Sequence, residues 1–488
     1  MKAVAPIVVV ACCSIGCAIM KPSQADEATH AASAKISDPE AWRAVRPTAG
    51  PLPELVPPSV DRFTLANGIA VYVAENHATP LVHVRVVSRA GGAAAVGAEQ
   101  SGLPNFVVQA MGAGSQSHPA PRLEDELARL GAKLRTQTEA EWSALSLDVL
   151  RENLPQGIEL LSGLVSAPAF DHAGLEVVRA RVIGQIDDRQ SDSKGFALDE
   201  LQSLIYDHRP LGMPLLGTRK TVERLTAADA ADFYRRGWQP ANVAVIVAGD
   251  VTPQVARELL SLRLARWTTA PTPGTQPSPA VTQGSPPRRL VLVDQPAAAQ
   301  STICVGFPTV PRGAAEWAAI DVVNRVLGGG YASRINLNIR EDKGYSYNVR
   351  SALSENRSAG LLYIRGTIVI DKTVPAITEV LKELDRLRSQ PPSDAELRAG
   401  RAAAIAMATQ LETNVQVGDA VTRAFVFALP LDYVARYVHE VQSLTRERAL
   451  DAAAAFFSAA RASIVVLGPA LRLREGLSSA QLGQVEPR

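Results

Sequence analysis

The chain has few of the histidine and cysteine residues on which many catalytic and metal sites depend. It has seven histidines in 488 residues, and no two of them lie four positions apart. Of its four cysteines, three fall within the first 17 residues, so a chain that loses this segment keeps only Cys304 and forms no internal disulfide. Basic and acidic residues number 50 and 49, a balance that leaves no basic field for nucleic acid.

The remaining composition is that of an ordinary globular protein. Hydrophobic residues make up 47% of the chain and charged residues 20%, over a length that accommodates roughly three or four domains. Cys304 lies in the apolar, strand-like segment 301–307, which favours a core position over a nucleophilic one.

The N-terminus has the features of an export signal. Lys2 precedes an apolar run over residues 3–20 that is too short to predict a permanent membrane span, and small residues at 23–25 suit cleavage by signal peptidase. We therefore expect a signal peptide over residues 1–25 and a periplasmic or cell-envelope location. Cys12 and Cys17 each follow a small residue, as in bacterial lipoproteins, so lipidation and membrane anchoring remain an alternative to plain export.

The pattern of elements indicates a duplicated unit. An aromatic pair precedes the buried strand that ends at Gly249, and a second aromatic pair precedes the strand that ends at Gly468. Between the two copies, residues 271–287 contain six prolines, a composition typical of an extended linker. We therefore predict an α+β fold with two homologous halves, each built on an antiparallel sheet, that face each other across a cleft.

One short helix raises the question of a metal site. Residues 101–111 predict a buried helix that begins near Pro104, and Asn105 and Gln109 are its polar members, on one face. Helical zinc peptidases place two histidines at this spacing, with a glutamate base between them. Here both side chains are amides, and Val108 occupies the position before the second one. The pair is either a coincidence or a metal site that has lost its chemistry.

Several longer segments give the chain a family resemblance. They are Phe63–Val73, Gly102-Leu103, Leu127–Ala132, Leu216-Gly217, Trp238–Asp250, Leu327–Arg334 and Arg340–Tyr347. In this order they resemble the M16 family of zinc peptidases, in its M16B or processing-peptidase-like type, over about residues 60–468. The resemblance implies the following domains: signal peptide 1–25, lead-in 26–57, M16 N-terminal-type domain 58–264, Pro-rich linker 265–288, M16 C-terminal-type domain 289–475, and tail 476–488.

The resemblance also locates the positions that carry the zinc in active members. The family motif is His-x-x-Glu-His, with a further glutamate ligand about 76 residues on. The two histidines fall on Asn105 and Gln109, the base on Val108, and the third ligand near Gln185. An amide oxygen is a poor donor for Zn²⁺ and valine accepts no proton, so we expect no metal in this chain and no peptidase activity from it alone.

The second half retains two residue types that the family uses. In active members this half supplies an arginine and a tyrosine, seven positions apart, that bind substrate and stabilise the developing oxyanion; here Arg340 and Tyr347 match that spacing. Tyr345 is the local competitor for the tyrosine role. Non-catalytic subunits of the family can carry a much longer glycine-rich loop for substrate recognition. The run Gly328-Gly329-Gly330 is short, and such a run is usually a helix end, so substrate binding is here the weaker interpretation.

The resemblance therefore implies a non-catalytic subunit of an exported M16B-like zinc peptidase. It would pair with a separate chain that has an intact His-x-x-Glu-His motif and holds the zinc, and it would bind peptide or unfolded protein. The Pro-rich linker would permit opening and closing. The alternative is a structural or peptide-binding protein of the same fold, with no part in catalysis.

Overall fold

A computed structural model of the chain describes residues 40, 43, 57–207, 209–268 and 288–488. The predicted signal peptide, Cys12, Cys17, nearly all of the lead-in and most of the Pro-rich linker lie outside these residues. Residues 57–488, where described, belong to one compact unit. Among the described residues, no helix is both long and apolar enough to cross a membrane.

The first half contains six strands and eight helices among the described residues. The strands are β1 (Asp61–Thr64), β2 (Ala70–Glu75), β3 (Leu81–Ser88), β4 (Lys133–Thr138), β5 (Ser143–Leu150) and β6 (Val243–Gly249). The helices are α1 (Leu103–Ala113), α2 (Ala120–Arg129), α3 (Leu154–Ser166), α4 (His172–Ser191), α5 (Ser193–Tyr206), α6 (Arg219–Val222), α7 (Ala227–Gly237) and α8 (Pro253–Leu264).

The second half repeats this plan in its described residues. Its strands are β7 (Arg289–Asp294), β8 (Gln300–Thr309), β9 (Val349–Ser354), β10 (Gly360–Val369), β11 (Ser463–Gly468) and β12 (Gln484–Pro487). Its helices are α9 (Trp317–Leu327), α10 (Arg334–Asn336), α11 (Thr373–Ser389), α12 (Asp394–Ala408), α13 (Asn414–Val426), α14 (Tyr433–Ser443), α15 (Arg446–Phe456) and α16 (Ala470–Ser479).

The two sheets confirm the predicted duplication. Their strand orders are β1-β2-β6-β3-β5-β4 and β12-β7-β11-β8-β10-β9, so β6 and β11, the strands that end at the matching glycines, occupy the same place. The sheets are mixed rather than wholly antiparallel, because β2 pairs parallel with β6, and β7 pairs parallel with β11. Alternation of residues along a strand predicts its buried face but carries no information about the direction of its neighbour.

Asn67-Gly68 between alternating hydrophobic residues is a strong sequence signal for a β-hairpin, and the structure has one there. β1 and β2 pair antiparallel, and Gly68 adopts a φ of 91°, in the left-handed region that favours glycine. The Asn67 amide donates to the carbonyl oxygens of Leu264 and Trp267, each at 2.8 Å, and so ties the turn to the end of the first half.

The predicted tail at residues 476–488 is wrong as a description of this segment. Residues 476–479 end helix α16, and β12 pairs parallel with β7 at the edge of the second sheet. β12 fills the place that β1 fills in the first sheet. A single short strand of modest hydrophobicity gives a weak sequence signal, and only its pairing with β7 makes it part of the fold.

Each sheet is covered on both faces, and one cover comes from the other half. Helices of the first half pack on one face of the first sheet, and α13 of the second half packs against β3 and β6. In return, α5 of the first half packs against β8 and β11 of the second sheet. Burial of a large apolar side chain is worth about 1.5–3 kcal/mol, so separation of the halves would expose several such residues at once.

Polar contacts reinforce this exchange of helices. Arg85, which is buried on β3, donates to Asp419 of α13 at 2.5 Å, and Tyr206 of α5 donates to the carbonyl oxygen of Gly360 at 3.2 Å. The buried Glu141 accepts a hydrogen bond of 2.8 Å from Ser358 of the second half. The halves are therefore joined through their cores. Most of the linker lies outside the described residues, and its role in opening and closing stays a prediction.

Candidate functional site: an amide cluster and an exposed arginine–tyrosine stack

Helix α1 is fixed at its start by a close contact between two glycines. Gly102 precedes the helix with a φ of 89°, and Gly217 has a φ of 77°. A Cβ atom on Gly102 would lie 2.5 Å from the carbonyl oxygen of Leu216, and a Cβ on Gly217 would lie 2.4 Å from that of Ser101. Because only glycine tolerates both the conformation and the contact, the separate Gly102-Leu103 and Leu216-Gly217 segments together set the position of α1.

The structure brings together three of the four positions at which active relatives hold or use zinc. The Gln109 amide donates to Asn105 Oδ1 at 3.3 Å and to Gln185 Oε1, on α4, at 2.8 Å. Asn105 and Gln109 are 7% and 6% exposed, whereas Gln185 is half-buried. Three amides thus meet where a metal and its ligands would lie; we call these residues the amide cluster.

Val108, at the fourth position, is fully buried in the core of the first half. It has no group that accepts a proton, so no general base stands beside the amide cluster at this position.

The amide cluster does not fit a zinc ion. Zn²⁺ in proteins is held by imidazole, thiolate or carboxylate groups, and the cluster supplies none of them. Among the described residues, no group of three or more histidine, cysteine, aspartate or glutamate side chains is arranged to hold a metal. Asp187, an acid close to Gln185, pairs with Arg219 at 2.8 Å and is not directed to the cluster as a ligand. Helices α1 and α4 thus bring the ligand positions together, but the side chains at those positions are not zinc ligands.

Arg340 and Tyr347 lie together on the surface of the second half. The Arg340 guanidinium carbon lies 4.4 Å from the centre of the Tyr347 ring, a cation–π contact. Tyr347 is 79% exposed, and its exposed phenol is available to a bound molecule. Arg340 lies in a π-helical turn, Leu337–Asp342, and such turns occur frequently at functional sites.

Tyr345, the competing tyrosine, occupies a different environment. It is partly buried and packs against the core of the second half, and its backbone joins Ile339 and Val369 through hydrogen bonds. Its position favours a structural role, so Tyr347 is the better candidate for contact with a substrate.

Two further residues extend the stack, and sequence reasoning missed both. The Tyr331 ring lies 5.4 Å from the Arg340 guanidinium and 3.9 Å from that of Arg350, and Tyr331 is 69% exposed. Arg350 lies on the edge strand β9, so the order of contacts is Arg350, Tyr331, Arg340, Tyr347. Tyr331 follows the triple glycine directly, which is the signal that would have drawn attention to it.

The triple glycine has mainly a structural explanation. A Cβ on Gly328 would lie 2.6 Å from Ser351 Oγ, and a Cβ on Gly329 would lie 2.8 Å from the Cα atom of Arg325. The Gly328 carbonyl accepts a hydrogen bond of 3.0 Å from the Ser351 amide, which fixes the end of α9 against β9. Gly330 alone has open space around it. A role for Gly328, Gly329 and Gly330 in substrate binding stays a prediction.

Cys304 is placed as its sequence context predicts. It is fully buried between β8 and helix α5, and burial raises the pKa of its thiol to about 12. A thiol that stays protonated at physiological pH and has no access to solvent is no nucleophile.

In its described residues, the chain has the two α+β halves of a zinc-peptidase-like fold, with amides at the metal-ligand positions. Models of the M16 peptidase family match residues 70–219, as the insulinase (peptidase family M16) domain, and residues 224–404, as the peptidase M16 inactive domain. The chain belongs to the M16 peptidase family and is a non-catalytic member of it.

Similar proteins are found in several bacteria. An uncharacterized zinc protease of Mycobacterium tuberculosis is 29% identical over 329 residues, which cover 65% of this chain and 72% of the relative. A protein of Helicobacter pylori described as a non-peptidase homolog is 23% identical over 319 residues, or 64% of this chain and 72% of the relative.

Solved structures share the fold. A peptidase M16 inactive domain from Pseudomonas fluorescens superposes with a TM-score of 0.76 at 19% identity, over 84% of this chain and 98% of that one. A protease from Helicobacter pylori gives a TM-score of 0.78 at 18% identity, over 85% of this chain and 100% of that one. At these identities the likeness establishes the fold alone.

Proposed function

We propose that this chain is the substrate-binding, non-catalytic subunit of an exported M16B-like zinc peptidase. A separate chain with an intact His-x-x-Glu-His motif would hold the zinc, and this chain would supply Arg340 and Tyr347 to that site. The observation that carries the proposal is the contrast between the two sites. Gln109 donates hydrogen bonds to Asn105 and Gln185, so the cluster consists of neutral amides, while the arginine–tyrosine stack is intact and faces solvent.

The exposed pair has the chemistry that a peptidase needs opposite its metal. A guanidinium donates hydrogen bonds to the carbonyl oxygens of a bound peptide, and a phenol donates to the oxyanion of the tetrahedral intermediate. Arg340 also forms an ion pair with Glu341 at 3.2 Å, which together with the two tyrosine rings limits the directions its guanidinium can take. Side chains held in this way need less reordering when a substrate binds.

The core contacts between the halves support a two-chain arrangement. Exchange of α5 and α13 buries apolar surface on both sheets, so closure around a peptide by movement of one half against the other is unfavourable. A second chain would then provide the other wall of the cavity. Edge strand β4, beside α1, and edge strand β9, which carries Arg350, each offer unpaired backbone groups to an extended peptide.

The proposed location is the periplasm or cell envelope. It depends on the N-terminal apolar segment with its small residues at 23–25, and on Cys12 or Cys17 if the chain is lipidated. Radiolabelled fatty acid incorporation in vivo, compared between the wild type and the Cys12→Ala and Cys17→Ala variants, separates the anchored form from the secreted one.

The central test mixes this chain with a candidate zinc-bearing M16 partner and measures cleavage of an unfolded protein. We expect activity in the mixture only, and Arg340→Ala or Tyr347→Phe should reduce kcat by about 100- to 1000-fold, the usual cost of one oxyanion donor. Tyr345→Phe and Arg386→Ala are matched controls, since Tyr345 packs on the core and Arg386 lies on the exposed side of α11.

The outcomes separate the competing functions. Full activity of the Arg340 and Tyr347 variants in the mixture would favour the alternative, a scaffold or peptide-binding protein of M16 fold. Cleavage by this chain alone that is abolished by a chelator would contradict both functions.

A further inference from the structure

Two arginines face each other at the edge of the second sheet. Arg350 of edge strand β9 and Arg365 of β10 are cross-strand partners, so their side chains start from the same face of the sheet. This is the face on which α5 packs, because Cys304, the partner of Arg365 on β8, is buried against that helix. Like charges directly opposite each other, with Cβ atoms about 4.5–5.5 Å apart, destabilise a sheet. We call these two residues the Arg350–Arg365 pair.

Neither arginine forms an ion pair with a carboxylate among the described residues. Arg350 donates from Nε to the Asn348 side chain at 3.0 Å, and its guanidinium carbon lies 3.9 Å from the centre of the Tyr331 ring. Arg365 donates to the carbonyl oxygen of Lys194, in the first turn of α5, at 3.3 Å. Both arginines are half-buried, and none of their nitrogen atoms is enclosed without a partner. The N–H groups that form no hydrogen bond are therefore open to a bound anion.

The carboxylates of the neighbouring segments are engaged elsewhere. Asp199 of α5 pairs with Arg189 at 2.6 Å, and Glu341 pairs with Arg340 at 3.2 Å. Asp192 caps α5, where it accepts a backbone hydrogen bond of 3.2 Å. Two guanidinium charges therefore remain on this face without a counter-ion.

The equivalent edge of the first sheet is compensated. Strand β4 occupies the place there that β9 occupies in the second sheet, and its Arg135 forms an ion pair with Asp148 on the neighbouring strand β5. Arg85, two strands in and level with Arg135, pairs with Asp419 at 2.5 Å. The duplication thus supplies an internal comparison, in which the same edge is neutralised in one half and positive in the other.

We propose that the Arg350–Arg365 pair binds acidic side chains of a peptide that lies extended along β9. An edge strand offers unpaired backbone groups to such a peptide, and every second side chain of the peptide points to one face of the sheet. Aspartate or glutamate at alternate positions then meets the uncompensated guanidinium groups. The inference rests on the peptide-binding role proposed above and names its substrate class, a peptide with an acidic segment.

The test compares two peptides that differ only in charge. Short threonine peptides with glutamate or with glutamine at alternate positions carry a fluorophore, and their anisotropy is followed as the full chain is added without a partner. We expect the glutamine peptide to bind at least about tenfold more weakly at low salt, because a charge-assisted hydrogen bond is about twice as strong as a neutral one. Salt at about 1 M should remove most of this difference, because it screens exposed charges.

Variants of the pair test which residues read the charge. The double variant Arg350→Gln and Arg365→Gln should bind both peptides alike, and each single variant should lose part of the preference. Arg448→Gln, on the exposed face of α15, is the control and should keep the preference. Hydrogen exchange locates the peptide, since its binding should slow amide exchange in β9 and leave β4 unchanged.

The outcomes separate this inference from the function on which it rests. It is overturned if neither peptide binds, if the two bind equally, if a folded double variant keeps the preference, or if β9 gains no protection from exchange. Equal binding of the two peptides, together with cleavage in the two-chain mixture, would refute the acidic preference and leave the proposed function standing. A preference for glutamate without cleavage in the mixture would do the reverse.

Discussion

Restoration of the ligands tests whether the amide cluster still has the geometry of a zinc site. Donor atoms in a tetrahedral site with bonds near 2.0 Å are separated by about 3.3 Å. Gln109 Nε2 lies 3.3 Å from Asn105 Oδ1 and 2.8 Å from Gln185 Oε1, close to that separation. We therefore predict that the triple variant Asn105→His, Gln109→His and Gln185→Glu binds zinc.

The size of the effect follows from the linkage of binding to folding. At a free zinc concentration 100 times the Kd, binding adds about 2.7 kcal/mol to the free energy of unfolding. The two halves form one compact unit of about 430 residues. At about 2.1 cal/mol/K of unfolding entropy per residue, 2.7 kcal/mol raises its Tm by roughly 3 °C. Metal content after dialysis and thermal unfolding with zinc or with a chelator measure the two effects.

The parent chain and the single variant Asn105→His are the controls, and neither should respond to zinc. The triple variant should hold the metal without cleaving peptide, because Val108 still supplies no base. A triple variant with a native circular-dichroism spectrum that takes up no zinc would refute the idea that α1 and α4 keep the ligand frame.

Two further predictions concern stability. Gly418→Ala should lower the free energy of unfolding by about 1–3 kcal/mol, because a Cβ there would lie 2.7 Å from the buried His83 ring. The control variant Gly184→Ala, also in a helix, has open space around the new Cβ and should raise the free energy of unfolding by about 0.5–1 kcal/mol. Equal effects of the two variants in urea unfolding would contradict this contrast. The hydrogen bond that His77 donates to the Asp250 carboxylate raises the pKa of His77 above 6.5. Its contribution to stability is therefore full below pH 6.5 and is lost as pH rises through the folded pKa. The Tm difference between wild type and His77→Gln should therefore shrink with rising pH, and a difference that grows would show that the sign is wrong.

Local patterns in the sequence determined the elements and their duplication. Asn67-Gly68 between alternating residues specified the first hairpin, because few residue pairs other than this one suit the turn. The strands that end at Gly249 and Gly468 were recognisable in the same way, and they occupy equivalent places in the two sheets. The family resemblance, which rests on several such segments in order, then located Asn105, Val108, Gln109 and Gln185.

Contacts between distant segments were beyond the reach of such patterns. Strand β12 has a weak signal of its own and becomes part of the fold only by pairing with β7. Tyr331 and Arg350 are 19 positions apart, and only the packing of the π-helical turn beside β9 stacks them on Arg340. Periodicity reports which face of an element is buried, but it does not report which element covers that face.

The sequence by itself determined that this chain has two α+β halves and that amides occupy the two histidine positions of the zinc motif, because both properties depend on residue types in local patterns. The tertiary structure alone decided that the three amides bond to one another, since Gln109 and Gln185 are 76 residues apart. It also decided that α5 packs on the second sheet and α13 on the first, since the apolar face of a helix does not specify which surface will cover it. That exchange joins the described residues of the two halves through their cores into one compact unit.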